Sequence, residues 1–108
     1  ALTVRDSVPY RLFMDYFMAY PDRAWTVDEL TALLSTTRPT IYRHVNKLKT
    51  LDILEPLDVE IDGQMHRGYR IRFGDITKAW NFVESNVTMA MENYRKTVNH
   101  FNNLCRGV

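Results

Sequence analysis

The segment from Thr26 to Glu55, TVDELTALLSTTRPTIYRHVNKLKTLDILE, constrains the fold most, because it compresses two helices and a strand start into one short run. It opens on a capping box, with Thr26 as N-cap and Glu29 three residues on. Val27, Leu30, Leu33 and Leu34 then supply one apolar face. Ser35, Thr36 and Thr37 leave room only for a tight turn before the next helix. Thr37 can cap that helix, and its first turn tolerates Pro39 because no N–H partner is lost there. Ile41, Val45 and Leu48, spaced by four and three, bury one side of the second helix.

At about 100° per residue, Pro39, Tyr42, Arg43, Asn46 and Lys47 fall on the side opposite that stripe. The chain carries a net charge of only +1, so affinity for a polyanion has to come from clustered charge. The cluster exists: residues 38 to 49 contain Arg38, Arg43, Lys47 and Lys49 and no acid, whereas Asp52 to Asp62 is acidic. A helix face that mixes cations with groups able to bond base edges has the chemistry to enter a DNA major groove.

Upstream, Ser7 can cap a helix from about Val8 to Tyr20, with Pro9 in its first turn and Pro21-Asp22 closing it. Leu12, Phe13, Met14, Tyr16, Phe17, Met18 and Tyr20 make it apolar nearly all round, which predicts burial on most sides. Downstream, Ile53-Leu54 begins a strand in which Leu57, Val59 and Ile61 alternate with Asp58, Glu60 and Asp62. Asp62-Gly63 turns the chain, and a loop with Gln64, His66, Arg67 and Gly68 leads to a return strand. There Tyr69, Ile71 and Phe73 share one face and Arg70 and Arg72 the other. The acidic first strand can pair across to Arg70 and Arg72. Arg67, nearer the tip, has no such partner and is the expected phosphate or minor-groove contact.

From Ile76 to about Leu104 the chain has neither Pro nor Gly, and Asp75 stands as N-cap. Ile76, Trp80, Val83, Val87, Ala90, Tyr94, Thr97, Phe101 and Leu104 follow alternating four-three spacing, a heptad seam widened by Met91 and Val98. So long a helix exceeds what a 108-residue chain can cover by itself. A second copy is the expected cover, with Trp80, Val83, Val87, Ala90, Tyr94 and Phe101 as dimerisation residues.

The run LSTTRPTIYRHVNKLKTLDILEP resembles the recognition segment of winged helix-turn-helix transcription regulators of the ArsR, MarR and PadR kind, over about residues 26 to 73. The long last helix looks most like PadR-type and related archaeal regulators. The resemblance implies an α+β, mostly α, fold: a winged helix-turn-helix DNA-binding domain over residues 1–74 with a two-stranded wing, and a dimerisation helix over 75–108. It places Arg38, Thr40, Tyr42, Arg43 and Asn46 on DNA and Arg67 in the wing. Pro39 stands where such regulators commonly have Ser or Ala, so a hydroxyl contact is lost there. Pro39 and Lys47 complete the expected contact set. The implied partners are double-stranded DNA with a pseudo-palindromic operator and a second copy of the chain.

Other functions fit less well. His44, His66 and His100 stand singly and Cys105 is alone, without the spacing that presents metal ligands together, so no metal or other cofactor is expected. Cys105 is expected as a free, mildly buried thiol, the alternatives being contact with its symmetry mate or redox sensitivity. His44 is expected at the packed edge of its helix, Trp25 in the core or as a staple, and Tyr94 and Phe101 in packing before any ligand pocket. There is no Gly-rich phosphate loop, nucleophile elbow or paired carboxylate, so the chain is not expected to be an enzyme. No apolar run approaches a membrane span and no signal-peptide core is evident, so a cytoplasmic protein is expected. The rival reading is a winged-helix module docking on protein in a transcription or chromatin assembly. The cation-rich face argues for DNA.

Overall fold

The computed structural model describes residues 6–107; residues 1–5 and 108, which the domain division above includes, lie outside the described residues. The first helix, α1, is regular over Val8–Arg11 and continues as a π-helix over Leu12–Met18. Ser7 occupies its N-cap and Pro9 its opening turn. A regular α-helix over this stretch was the expectation, and the widening has a packing reason. Leu12 and Phe17 are both fully buried, yet residues five apart lie about 140° round an α-helix. The i→i+5 turn brings them toward one side. Met14 and Tyr20 remain exposed, at 40% and 57%.

Strand β1 (Trp25–Thr26) leads directly into α2 (Val27–Leu33). The capping box forms as expected: Thr26 Oγ1 accepts from Glu29 N at 3.2 Å, and Glu29 Oε1 accepts from Thr26 N at 3.1 Å. Val27, Leu30 and Leu34 are buried, but Leu33 is 47% exposed, on the rim of the apolar face and not in it. At the end of α2, Ser35 takes a left-handed φ of 49°. Thr36 N then reaches Thr31 O at 3.1 Å and Ser35 N reaches Ala32 O at 3.3 Å, which closes the helix in the manner usually built on glycine. Two residues later Thr37 caps α3 (Arg38–Thr50), accepting from Thr40 N.

Strands β2 (Leu54–Ile61) and β3 (Gln64–Ile71) form an antiparallel hairpin in register from Leu54↔Ile71 to Ile61↔Gln64. The Gln64–Gly68 stretch is strand and not loop, because Asp62 and Gly63, both at positive φ, make a two-residue turn that starts pairing at once. Phe73 leaves the strand for a 3-10 turn over Arg72–Gly74, at φ 61°, and is exposed.

The sheet is also three-stranded, in the order β1-β3-β2, not two-stranded. β1 pairs Trp25 with Tyr69 and Thr26 with Gly68. Gly68 permits the approach, since a Cβ there would sit 2.7 Å from Val59 Cγ2 and 3.2 Å from Ala24 Cβ. The core under the sheet joins Leu12, Phe17, Leu30, Ile41, Val45, Leu54, Ile71 and Ala79. Trp25 belongs to it as expected, with the Tyr16 ring edge-on at 5.2 Å and the Arg23 guanidinium 3.8 Å above it.

The last helix, α4 (Ile76–Arg106), starts on Asp75, whose Oδ1 accepts from Thr77 N and Lys78 N. Its 31 residues span about 46 Å. Only Ala79 of this helix is buried. The Cα radius of gyration, 19.3 Å, exceeds the roughly 13 Å of a compact chain this long because α4 runs past the core.

The close contact at Gly68 is testable. Gly68→Ala forces β1 or Val59 aside and should cost about 1–3 kcal/mol. The measurement is a shifted chemical-denaturation midpoint, and an unchanged midpoint would remove the role given to this residue.

Candidate nucleic-acid interface

The roll of α3 is set from below. Ile41 and Val45 are fully buried and Leu48 partly so, which turns Pro39, Tyr42, Arg43, Asn46 and Lys47 outward; all five are exposed. The outer face thus carries the residues that the periodicity assigned to it. Arg43 and Lys47 have no carboxylate within ion-pair distance among the described residues.

Two expected contacts are engaged locally. Thr40 is half-buried and its hydroxyl lies 2.9 Å from that of Thr37, so it belongs to the cap as much as to the surface. Arg38 is ion-paired with Asp28, in the first turn of α2. Its Nη2 also donates to Tyr42 Oη at 3.5 Å, with the guanidinium 5.9 Å from the Tyr42 ring centroid.

Arg67 departs from expectation. It lies four pairs from the hairpin turn, opposite Asp58, and its Nε is 3.8 Å from the Asp58 carboxylate. A loop over Gln64–Gly68 would leave it without a partner; because those residues are strand, register supplies one. Arg70 and Arg72 pair as expected, though not with the mid-strand acids. Arg70 Nε donates to Glu55 at 2.8 Å, and Arg72 donates to Asp52 O at 2.7 Å with Asp52 Oδ1 at 3.8 Å. Glu55 Oε1 also accepts from Phe73 N at 3.1 Å, tying the hairpin to the turn before α4.

A cleft of about 130 Å³ joins these parts, lined by Asp28 of α2, Arg38 and Tyr42 of α3 and His66 and Arg67 of β3. It gathers three of the sequence candidates, Arg38, Tyr42 and Arg67, from elements far apart in sequence. Asp28 and His66 were missed, since neither lies on a periodic stripe that points to the cleft. The remaining dimerisation candidates are spread along α4: Trp80, Val87, Tyr94 and Phe101 are 55%, 55%, 73% and 61% exposed, Ala90 is exposed and Val83 half-buried. Cys105 is exposed, not mildly buried, because α4 has left the core well before it. Among the described residues no group of His, Cys, Asp and Glu is arranged to hold a metal, and no helix is long and apolar enough to cross a membrane.

Two titratable groups register this environment. Glu29 is opposed by burial, but hydrogen bonds from the Thr26 backbone and from the Arg23 and Thr26 side chains carry its carboxyl below the usual range. His44 is pushed below its ordinary value first by burial, then by the charges of Arg43 and Lys47. A depressed histidine means that the unfolded chain binds the proton more readily. The stability this group contributes is therefore complete above pH ~6.5 and is lost as pH falls toward the folded value. His44→Gln should accordingly lose less stability than the unmutated chain between about pH 7.5 and pH 5. Denaturation curves at the two pH values check this, and equal losses would contradict it.

No family model matches the sequence, and no curated protein matches it. The fold is similar to that of a possible transcriptional regulator from Methanosarcina mazei Go1, with a TM-score of 0.54 over 92% of this chain and 78% of that one. The two are 24% identical, so the likeness is one of fold: a mostly helical chain with a small antiparallel sheet and a long C-terminal helix.

Proposed function

We propose that this chain is a homodimeric, sequence-specific DNA-binding transcription regulator of the winged helix-turn-helix kind. In this reading α3 enters the major groove, the β2–β3 hairpin is the wing on the flanking backbone or minor groove, and α4 is the dimerisation helix. The observation that carries it is the outer face of α3. Tyr42, Arg43, Asn46 and Lys47 are exposed together, no acid lies between residues 38 and 49, and the buried Ile41 and Val45 hold that face outward. The likeness in fold to a chain described as a possible transcriptional regulator supports it.

Arg43 suits a guanine edge and Asn46 an adenine, each base contact contributing about 1–3 kcal/mol of discrimination. Arg67 suits a phosphate, once Asp58 gives it up. Selection from random DNA should return inverted half-sites about one helical turn apart or a multiple of it. Arg43→Ala should flatten preference at one base pair per half-site, whereas Arg67→Ala should weaken all sequences alike and reduce the salt dependence of binding. If no symmetric motif emerges and alanine at Tyr42, Arg43 and Asn46 leaves binding unchanged, docking on a protein partner becomes the better reading.

The dimer rests on α4. Trp80, Val87, Met91, Tyr94, Val98, Phe101 and Leu104 form an apolar stripe of more than six turns, each residue more than half exposed. So long an apolar face is rare on a monomer. Val87→Glu or Tyr94→Glu puts a charge into the seam and should dissociate or unfold the protein. Sedimentation of the unmutated chain at micromolar concentration supplies the direct check, and a compact, stable monomer would overturn the assignment.

A further inference from the structure

We propose that Asp28 is an internal competitor for Arg38, holding it against Tyr42 until a better-placed acceptor on target DNA displaces it. This rests on the DNA-binding reading above and assigns a positioning role to a residue outside the contact face. Among the described residues Arg38 is the cation of α3 with an ion-pair partner: Asp28 pairs with it, Tyr42 Oη accepts from it, and its guanidinium stands over the Tyr42 ring. Arg43 and Lys47, about one and a half and two and a half turns along, have no such carboxylate among the described residues.

The asymmetry has a consequence for binding. Unrelated DNA attracts the protein through the diffuse field of its phosphates. Against that field Arg38 contributes little, because Asp28 cancels its charge at contact distance. In register on a target, a base edge or fixed phosphate offers the planar guanidinium paired acceptors and outcompetes an exposed ion pair. Asp28 itself is left lining the same cleft as Arg67 when Arg38 departs. The pair persists on unrelated DNA only because Arg38 gains less there than the pair is worth, so the carboxylate costs the target complex, where the pair is broken, more than the unrelated one.

Affinities of the unmutated chain, Asp28→Asn, Arg38→Ala and the double variant would be compared on a selected target duplex and on an unrelated duplex of equal length. Asp28→Asn should tighten the target duplex about two- to fivefold per subunit engaged, the range open to an exposed ion pair. The unrelated duplex should gain less, so the ratio of the two affinities rises, and the effect should vanish when Arg38 is alanine. Asp28 is exposed in the first turn of α2, so Asn is expected to fold, and Asp28→Ser supplies a second variant with the same expected outcome. An unchanged ratio, or an equal gain on both duplexes, would overturn the proposal. So would an undiminished effect in the Arg38→Ala background, which would make Asp28 a repelling charge alone. These failures leave DNA binding intact. A chain that binds neither duplex would instead remove the DNA-binding reading and this inference with it.

Discussion

The burial of Ile41 and Val45 is the constraint on which the rest of the molecule depends. Both side chains are fully enclosed, and together they fix α3 in rotation about its own axis, so every outward residue on that helix inherits its direction from them. The ends of the helix are fixed just as tightly. Ser35 accepts a left-handed backbone to end α2, Thr37 caps α3 two residues later, and Asp52 takes the same left-handed turn where α3 gives way to β2. A non-glycine residue in that conformation costs roughly 1–2 kcal/mol, which the flanking burial has to offset. A short, rigid corner is the result, and it presents one helix face without freedom to roll.

The hairpin is anchored to that corner through one carboxylate. Glu55 accepts from Arg70 on the neighbouring strand and from the backbone of Phe73 in the following turn, and it is among the less exposed acids in the chain. From there Phe73 sets its ring edge-on to Phe82, 5.7 Å away, and Arg72 lies 4.6 Å over the Phe82 ring. The direction in which α4 leaves the core is thus set by the register of β2 on β3. Beyond Val83 the helix has no further core to meet, and its continued apolar face is the physical reason for assigning a second copy to it.

How much of this was legible in the sequence depended on whether a signal was local and repeated. The capping box, the turn at Ser35-Thr36-Thr37, the Asp75 cap and the outward face of α3 each rest on residues within one or two turns of each other. They are found as read. What escaped rests on pairings between distant segments. Trp25-Thr26 is too short to show a strand period, and it pairs only because Gly68 leaves space for it. The π-helical widening of α1 answers to where Leu12 and Phe17 find the core, and no local residue announces it. Arg67 was separated from Asp58 by reading loop where the turn had already closed, and Asp28 meets Arg38 across a turn that breaks every periodicity.

That last class of contact also explains how a nearly neutral chain can carry a selective cationic face. Arg11, Arg23, Arg38, Arg67, Arg70 and Arg72 each have a carboxylate partner, so much of the positive charge is spent locally. With a net charge of +1 and a screening length of about 8–10 Å in ordinary salt, little field reaches a distant polyanion. On α3 the attraction falls to Arg43, Lys47 and Lys49, which have no carboxylate within ion-pair distance among the described residues. Such a surface gains little from loose encounters and much from close fit, because the paired arginines contribute only where their carboxylates are displaced. The same economy of charge that keeps long-range attraction weak makes contact geometry, fixed by Ile41 and Val45, the quantity that decides binding.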